Sequence, residues 1–385
     1  MNDKGVQSIG IRLPIVKQGD NLVKIVCDYV IDSMTEYSDD IYGDDKYIHI
    51  DDRDVIGITE SIVARTQGNY VTIDEIVKDL EQKGVKRNLV LYSPIMSRNR
   101  FSMILKAFAR FADNITILYN GKFDEQGNPN WGINQFTGVN IKKYYEEICV
   151  NEACSFKMLG IAERQITRDE YRAHYMFDNK WITIDSSIET LIDCRCHPDD
   201  KNDCLTLKDI MNKPIESSGY NSKYGLLGSN KATEEKIKLF PEPELAQKFV
   251  VSVQKEIFSR TGKHVEVMIY GDGCFKDPIG GIWEWADPVT TPAYTEGLNG
   301  TPNEIKIKAF ADDKFKDLTG SELTEAVKSE IRNKESNLVG NMASQGTTPR
   351  RYVDLLASLM DLTSGSGDKG TPVVLVKNYF KKYSD

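Results

Sequence analysis

The sequence predicts a mixed α/β fold of the α+β class, and three observations carry that expectation. Short apolar runs of strand length alternate with apolar positions at helical spacing along most of the chain. A β-branched run, Pro372–Val376, follows a helical pattern and a Ser/Gly stop, as a buried strand would. A hydrophobic strand pattern at Val265–Tyr270 opens onto an acidic, glycine-bearing rim. At 385 residues the chain exceeds most single domains, so two domains or one elaborated domain are expected.

Taken in order, residues 9–16 read as a strand that stops at Lys17-Gln18-Gly19. Asp20 is placed to cap a helix with apolar positions Leu22, Ile25, Val26 and Val30. Asp54–Ile58 reads as a central strand, which Glu60–Ala64 extends toward a Gly68-Asn69 turn. Ile73, Ile76, Val77 and Leu80 mark a helix, and Leu89–Tyr92 a strand. Phe101–Phe111 reads as a helix and Ile115–Tyr119 as another strand. From 121 to 209 the pattern loosens, with turn residues Gly127, Asn128 and Pro129. The expected organisation is an N-terminal α/β part over 1–120, a divergent central region or insertion over 121–209, and a C-terminal part over 210–385. In the last, Leu245, Phe249, Val250, Val253 and Ile257 line one face of a helix ending near Gly262. Tyr352–Leu362 reads as a helix turning Val353, Leu356, Ala357 and Met360 inward.

The net charge of -9 argues against general nucleic-acid binding, since no basic stripe stands out to meet phosphates. A nucleotide substrate stays open, because a divalent cation can neutralise its phosphates. No run approaches the roughly 18 apolar residues of a membrane span, and the polar start MNDKGVQSIG does not read as a leader. Seven cysteines, an odd number, fit reduced thiols, so a cytoplasmic location is expected. Cys194, Cys196, His197 and Cys204 lack the two-residue gaps of paired zinc ligands. The glycines at Gly365–Thr371 follow a helix and precede a strand, the reverse of a P-loop.

The most informative segment is Val265–Trp283, where Gly271-Asp272-Gly273 ends the strand and Asp277 adds a second carboxylate. Glycines there admit close backbone approach, and carboxylates at a strand-end rim suit Mg²⁺ or Mn²⁺. Arg98 and Arg100, just past the strand Leu89–Tyr92, are placed to hold carboxylates or phosphates bidentately.

Several motifs in shared order resemble the coenzyme F420 gamma-glutamyl ligase family. Leu13-Pro14-Ile15-Val16-Lys17-Gln18-Gly19-Asp20-Asn21-Leu22 is similar to its LPxxxxGDDL pattern. Asp54-Val55-Ile56, then Glu60-Ser61 and Ile62–Gly68, is similar to its GDV…S…VxSKxEG stretch, with Arg65 in the place of a nucleotide-contacting lysine. Ser218-Gly219-Tyr220-Asn221 resembles an AGxD segment whose aspartate binds metal, and Leu239-Phe240-Pro241 the LLPxxP after it. Asp272-Gly273 resembles a strand-end DT or DS metal site, and Asp354–Gly365 with Gly370–Val374 the family's ending. The chain departs from the family at Asn221, at Tyr224 in place of an asparagine, at Gly273, and at Lys276-Asp277-Pro278 in place of an arginine-rich segment.

That resemblance implies an F420-ligase-like fold with mixed sheets and an enzyme that joins L-glutamate to a carboxylate acceptor. It implies GTP as co-substrate, with ATP as the alternative, together with Mg²⁺ or Mn²⁺ and K⁺ as a further candidate ion. Asp272 would be the leading metal ligand, with Asn221 and Asp277 beside it. Arg65 would approach the nucleotide, together with Leu13–Val16 (Leu13, Pro14, Ile15 and Val16), the Glu60-Ser61 turn and Gly68. Arg98 and Arg100, on charge and placement, would receive the carboxylates of glutamate or acceptor. A homodimer is implied as well. A ligase for a folate-like or peptide carboxylate, and a non-catalytic nucleotide-binding regulator, are the alternative readings.

Overall fold

The computed structural model describes residues 4–37, 46–92, 100–119, 132–134, 138–160, 163–167, 172–177, 180–184, 189–192, 205–272, 275–276, 283–284, 289–344, 347, 350–364 and 368–385. Its architecture is mixed α/β, with helices packed on several separate sheets. The principal sheet has five strands in the order Gln7–Ile11, Val373–Lys377, Val55–Thr59, Glu266–Asp272, Val289–Tyr294. Its two central members, Val55–Thr59 and Glu266–Asp272, run parallel, while the remaining pairings are antiparallel.

The middles of the central strands are apolar because helices cover both faces. Ile56, Ile58, Val267 and Ile269 face the helices Leu22–Ser33 and Pro243–Thr261, where Val26, Val30, Val250 and Val253 complete the cluster. Val55, Met268 and Tyr270 point the other way, onto Leu356, Ala357 and Met360 of the helix Tyr352–Ser364. This is the two-residue period of a strand read on both faces. Each fully buried aliphatic or aromatic side chain contributes about 1.5–3 kcal/mol.

Gly57 is what lets the second layer close. A Cβ there would lie 2.1 Å from the Met360 sulfur and 3.1 Å from the Tyr270 ring. The edge strand Val289–Tyr294 carries Pro292, and its pairing with Glu266–Asp272 slips between Ile269 and Gly271. A proline without an N–H is tolerated at such a bulge on an edge strand.

A second five-stranded sheet is parallel throughout, in the order Leu205–Thr206, Glu189–Ile192, Asn88–Tyr92, Asn114–Tyr119, Ser155–Gly160. The helices Ile73–Gln82, Arg100–Phe111 and Ile141–Asn151 contribute to its core. The first of these begins at a capping box, in which Thr72 and Glu75 each satisfy the other's backbone N–H. A small antiparallel sheet, Ser229–Lys231, Lys236–Leu239 and Tyr70–Thr72, lies beside it. Ile237 and Leu239 belong to this second core. Among the described residues, no helix is long and apolar enough to cross a membrane.

Three local expectations are corrected. Glu60–Ala64 does not extend the strand: Glu60–Gln67 is a helix. Tertiary packing of Val63 and Ala64 overrides the β-branched pair Ile62-Val63, and Gly68 at φ 68° supplies the left-handed end. Asn21, not Asp20, caps the first helix by accepting from Lys24 N at 3.1 Å, while Asp20 accepts from Lys17 N. Leu245 is 48% exposed, and Ala246 takes the inward position instead. The cysteine segment 193–204 lies outside the described residues.

Gly57→Ala is expected to lower the unfolding free energy by about 1–3 kcal/mol, because the added methyl overpacks against Met360. Urea denaturation measures it; an unchanged midpoint would mean the Tyr352–Ser364 helix is free to lift off the sheet.

Candidate functional site

Register decides where the chain segments meet. Thr59 pairs with Tyr270 at the carboxyl ends of the parallel strands, and Ile58 pairs with Val373 at the start of the last strand. Ile11, at the end of the first strand, also pairs with Val373. Four segments therefore meet at one rim of the sheet: Leu13–Val16, Thr59–Ser61, Tyr270–Gly271 and Gly370–Pro372. They line a cavity of about 590 Å³, with Arg65 and Asn230 among the other lining residues. Sites in α/β sheets favour this carboxyl-end location.

The helix Glu60–Gln67 starts at this rim, so its first backbone N–H groups, which have no partner inside the helix, open there. Ser61 and Arg65 are four residues apart and share a face, both exposed and both lining the cavity. Glu60, just inside, is buried against the strand end: a Cβ on Gly271 would come within 2.2 Å of its Cγ. Glu60 Oε1 lies 3.4 Å from Lys238 Nζ, and that ammonium donates to Ser61 Oγ at 2.6 Å. Ile15 is 86% exposed at the cavity, which leaves its side chain available to a ligand.

The lining also includes residues that the sequence reading did not single out as site residues: Tyr270, Asp361 and Ser364. Burial pushes the Tyr270 hydroxyl above the ordinary phenol range; the Asp361 charge adds to that shift and the neighbouring Ser364 hydroxyl opposes it. Tyr270 is therefore a neutral group at physiological pH. The signal was faint but present, in Asp361 and Ser364 in the last turns of the helix Tyr352–Ser364. Thr371 also lines the cavity.

Gly68 stands apart from the cavity lining, at the helix's far end. There it admits the Gln18 side chain, whose Nε2 would lie 2.2 Å from a Cβ, and Gly19 N donates to Thr66 O at 2.9 Å. These contacts tie the loop after Leu13–Val16 to the helix carrying Ser61 and Arg65.

Asn221 is fully buried. Its Oδ1 accepts from Lys223 N at 3.1 Å and Tyr224 N at 2.7 Å, and its Nδ2 donates to Phe240 O at 3.1 Å and Pro241 O at 2.9 Å. Asn69 binds the same knot, donating to Tyr220 O and Phe240 O and accepting from Tyr220 N. Gly219 fits because a Cβ there would press to 2.7 Å from the Tyr70 backbone. The polar groups of the Asn221 carboxamide are thus committed to backbone partners.

Asp272 closes the strand directly after Gly271, and its side chain lies outside the described set. Asp277 and Arg98 lie outside the described residues, and Arg100 opens a helix of the second sheet, its side chain likewise outside the set. Among the described residues, no three His, Cys, Asp or Glu side chains converge as metal ligands. The donors nearest the rim are oxygens, from Glu60, Ser61 and Asp361, the ligand class that Mg²⁺ and Mn²⁺ take.

Asn221→Asp is expected to cost about 3 kcal/mol or more, since a carboxylate oxygen would then face two carbonyl oxygens in a buried place. Thermal denaturation with and without millimolar Mn²⁺ checks it; ion-dependent recovery of the lost stability would make position 221 a metal position.

No curated protein matches the chain. A family model described as F420-0:Gamma-glutamyl ligase matches residues 10–378. With a match over nearly its whole length, the chain belongs to the F420-0:gamma-glutamyl ligase family.

Proposed function

We propose that the chain is a nucleotide- and divalent-metal-dependent ligase that forms an amide between L-glutamate and a carboxylate acceptor, with GTP as the phosphoryl donor. One observation carries this reading. Leu13–Val16, Glu60-Ser61 with Arg65, and the strand end at Gly271 lie far apart in sequence and line one cavity. Family membership supports a ligase-type role.

The reaction is a two-step exchange. A carboxylate oxygen of the acceptor attacks the γ-phosphorus, the bond to the β-phosphate oxygen breaks, and GDP leaves. The glutamate amine then attacks the acyl phosphate carbon, its proton is lost, and inorganic phosphate departs as the amide forms. Little covalent work falls to the protein, so catalysis is mainly alignment and charge compensation.

In this reading Arg65 grips phosphate oxygens through its planar guanidinium. Ser61 donates a hydroxyl hydrogen bond from the same helix face. Leu13–Val16 form an apolar bed with Ile15 as its exposed contact, and Gly271 lets the ligand approach the strand end closely. Asp272 is the residue that would hold Mg²⁺ or Mn²⁺, which when bound would neutralise phosphate charge and polarise the phosphoryl group. Arg98 and Arg100 are the proposed receivers of glutamate and acceptor carboxylates.

Incubation with GTP, Mg²⁺, L-glutamate and a panel of carboxylate acceptors should give glutamate-dependent phosphate release. Asp272→Asn is expected to lower that turnover by about a hundredfold or more, with circular dichroism unchanged. Arg65→Met is expected to raise the KM for GTP by about tenfold or more, the worth of a charge-assisted pair. Nucleotide binding without phosphate release for any acceptor would instead favour a regulatory protein, and full activity in Asp272→Asn would remove the metal assignment.

A further inference from the structure

Strand alternation has an unusual result at Lys238. Its neighbours Ile237 and Leu239 point into the second core, which sends Lys238 to the opposite side, toward the first turn of the helix Glu60–Gln67. There its side chain is 9% exposed, and its ammonium sits between Glu60 Oε1 at 3.4 Å and Ser61 Oγ at 2.6 Å. Ionised side chains are seldom buried unless paired. Glu60, 4% exposed, supplies the counter-charge that keeps this ammonium in place.

The direction of the Ser61 hydrogen bond follows from chemistry. An ammonium has donors and no acceptor, so Ser61 Oγ must accept from Lys238. The hydroxyl then retains its own proton, and Ser61 is exposed on the cavity side. We propose that Lys238 is a positioning residue of this site: it fixes the Ser61 hydroxyl so that its proton points into the cavity and donates to an anionic oxygen of the nucleotide's phosphate chain. The inference rests on the nucleotide reading above and deepens it, assigning the phosphates to the Ser61 end of the cavity. Lys238 polarises the hydroxyl, since a bonded cation makes its O–H a better donor. Asn230, on the neighbouring strand and paired with Lys238 in register, lines the same cavity, so one hairpin braces this wall.

The test is a double-mutant cycle on MgGTP affinity, measured by calorimetry on the full chain with guanosine as the phosphate-free control. Ser61→Ala and Lys238→Met are each expected to weaken MgGTP by about tenfold. The double variant should lose about as much as one single variant, because both act through one hydroxyl. Guanosine affinity should stay within about twofold of wild type in all three. Losses that multiply to about a hundredfold, guanosine weakened equally, or MgGTP affinity untouched would each overturn the proposal. Should Lys238→Met fail to fold, Ser61→Ala decides alone: it changes an exposed residue, and unaltered MgGTP affinity would sink the assignment. Wild-type protein that binds neither MgGTP nor MgATP removes the nucleotide reading itself, and this inference with it. A binding wild type with insensitive variants removes the inference alone.

Discussion

The parallel pairing of Val55–Thr59 with Glu266–Asp272 is the constraint on which the molecule depends. Parallel strands cannot be joined by a tight turn, so long connections must separate them, and their carboxyl ends must finish on the same side. Antiparallel pairing of Val373–Lys377 with Val55–Thr59, and of Gln7–Ile11 with Val373–Lys377, adds two more segments at that edge. The cavity is a consequence of this arithmetic. Burial of both sheet faces then makes the register hard to alter, since a slip by one residue would exchange the two apolar sets between layers that differ in size and shape.

Electrostatics at the rim follow from the same geometry. The helix Glu60–Gln67 begins where its strand ends, so an acidic residue in its first turn meets favourable backbone dipoles. Lys238 arrives from an unrelated strand and meets that carboxylate in a nearly dry place. A pair in such surroundings adds little net stability compared with an apolar replacement, and breaking it would be costly. Its value lies in holding a hydroxyl and a charge in a defined arrangement beside the cavity.

The asparagine knot shows a second kind of constraint. Asn69 and Asn221 both donate to Phe240 O, and together they join the end of the Glu60–Gln67 helix, the segment after Gly219 and the start of the Pro243–Thr261 helix. Buried carboxamides of this kind satisfy backbone groups that would otherwise be orphaned in loops. Position 221 is thus a structural fastener here, and its uncharged side chain suits carbonyl partners that a carboxylate would repel.

Much was legible from the residues themselves. Periodicity identified the helices around Ile73–Leu80, Phe101–Phe111 and Val353–Met360 and the strands around Ile56, Leu91, Ile269 and Val374, because long apolar patterns reflect burial directly. Motifs with glycine, proline and polar residues at fixed offsets pointed to the rim, since turns and caps need those residue types. Sequence could not tell that Glu60–Ala64 turns helical, because local β-branched propensity was outweighed by packing of Val63 and Ala64. Nor could it bring Lys238 to Ser61, or Tyr270, Asp361 and Ser364 to one cavity, since those neighbours are set by strand register and helix packing across long separations. Local chemistry belonged to the sequence; which groups face one another was a matter for the tertiary structure, because contact across a sheet depends on pairing that no single segment encodes.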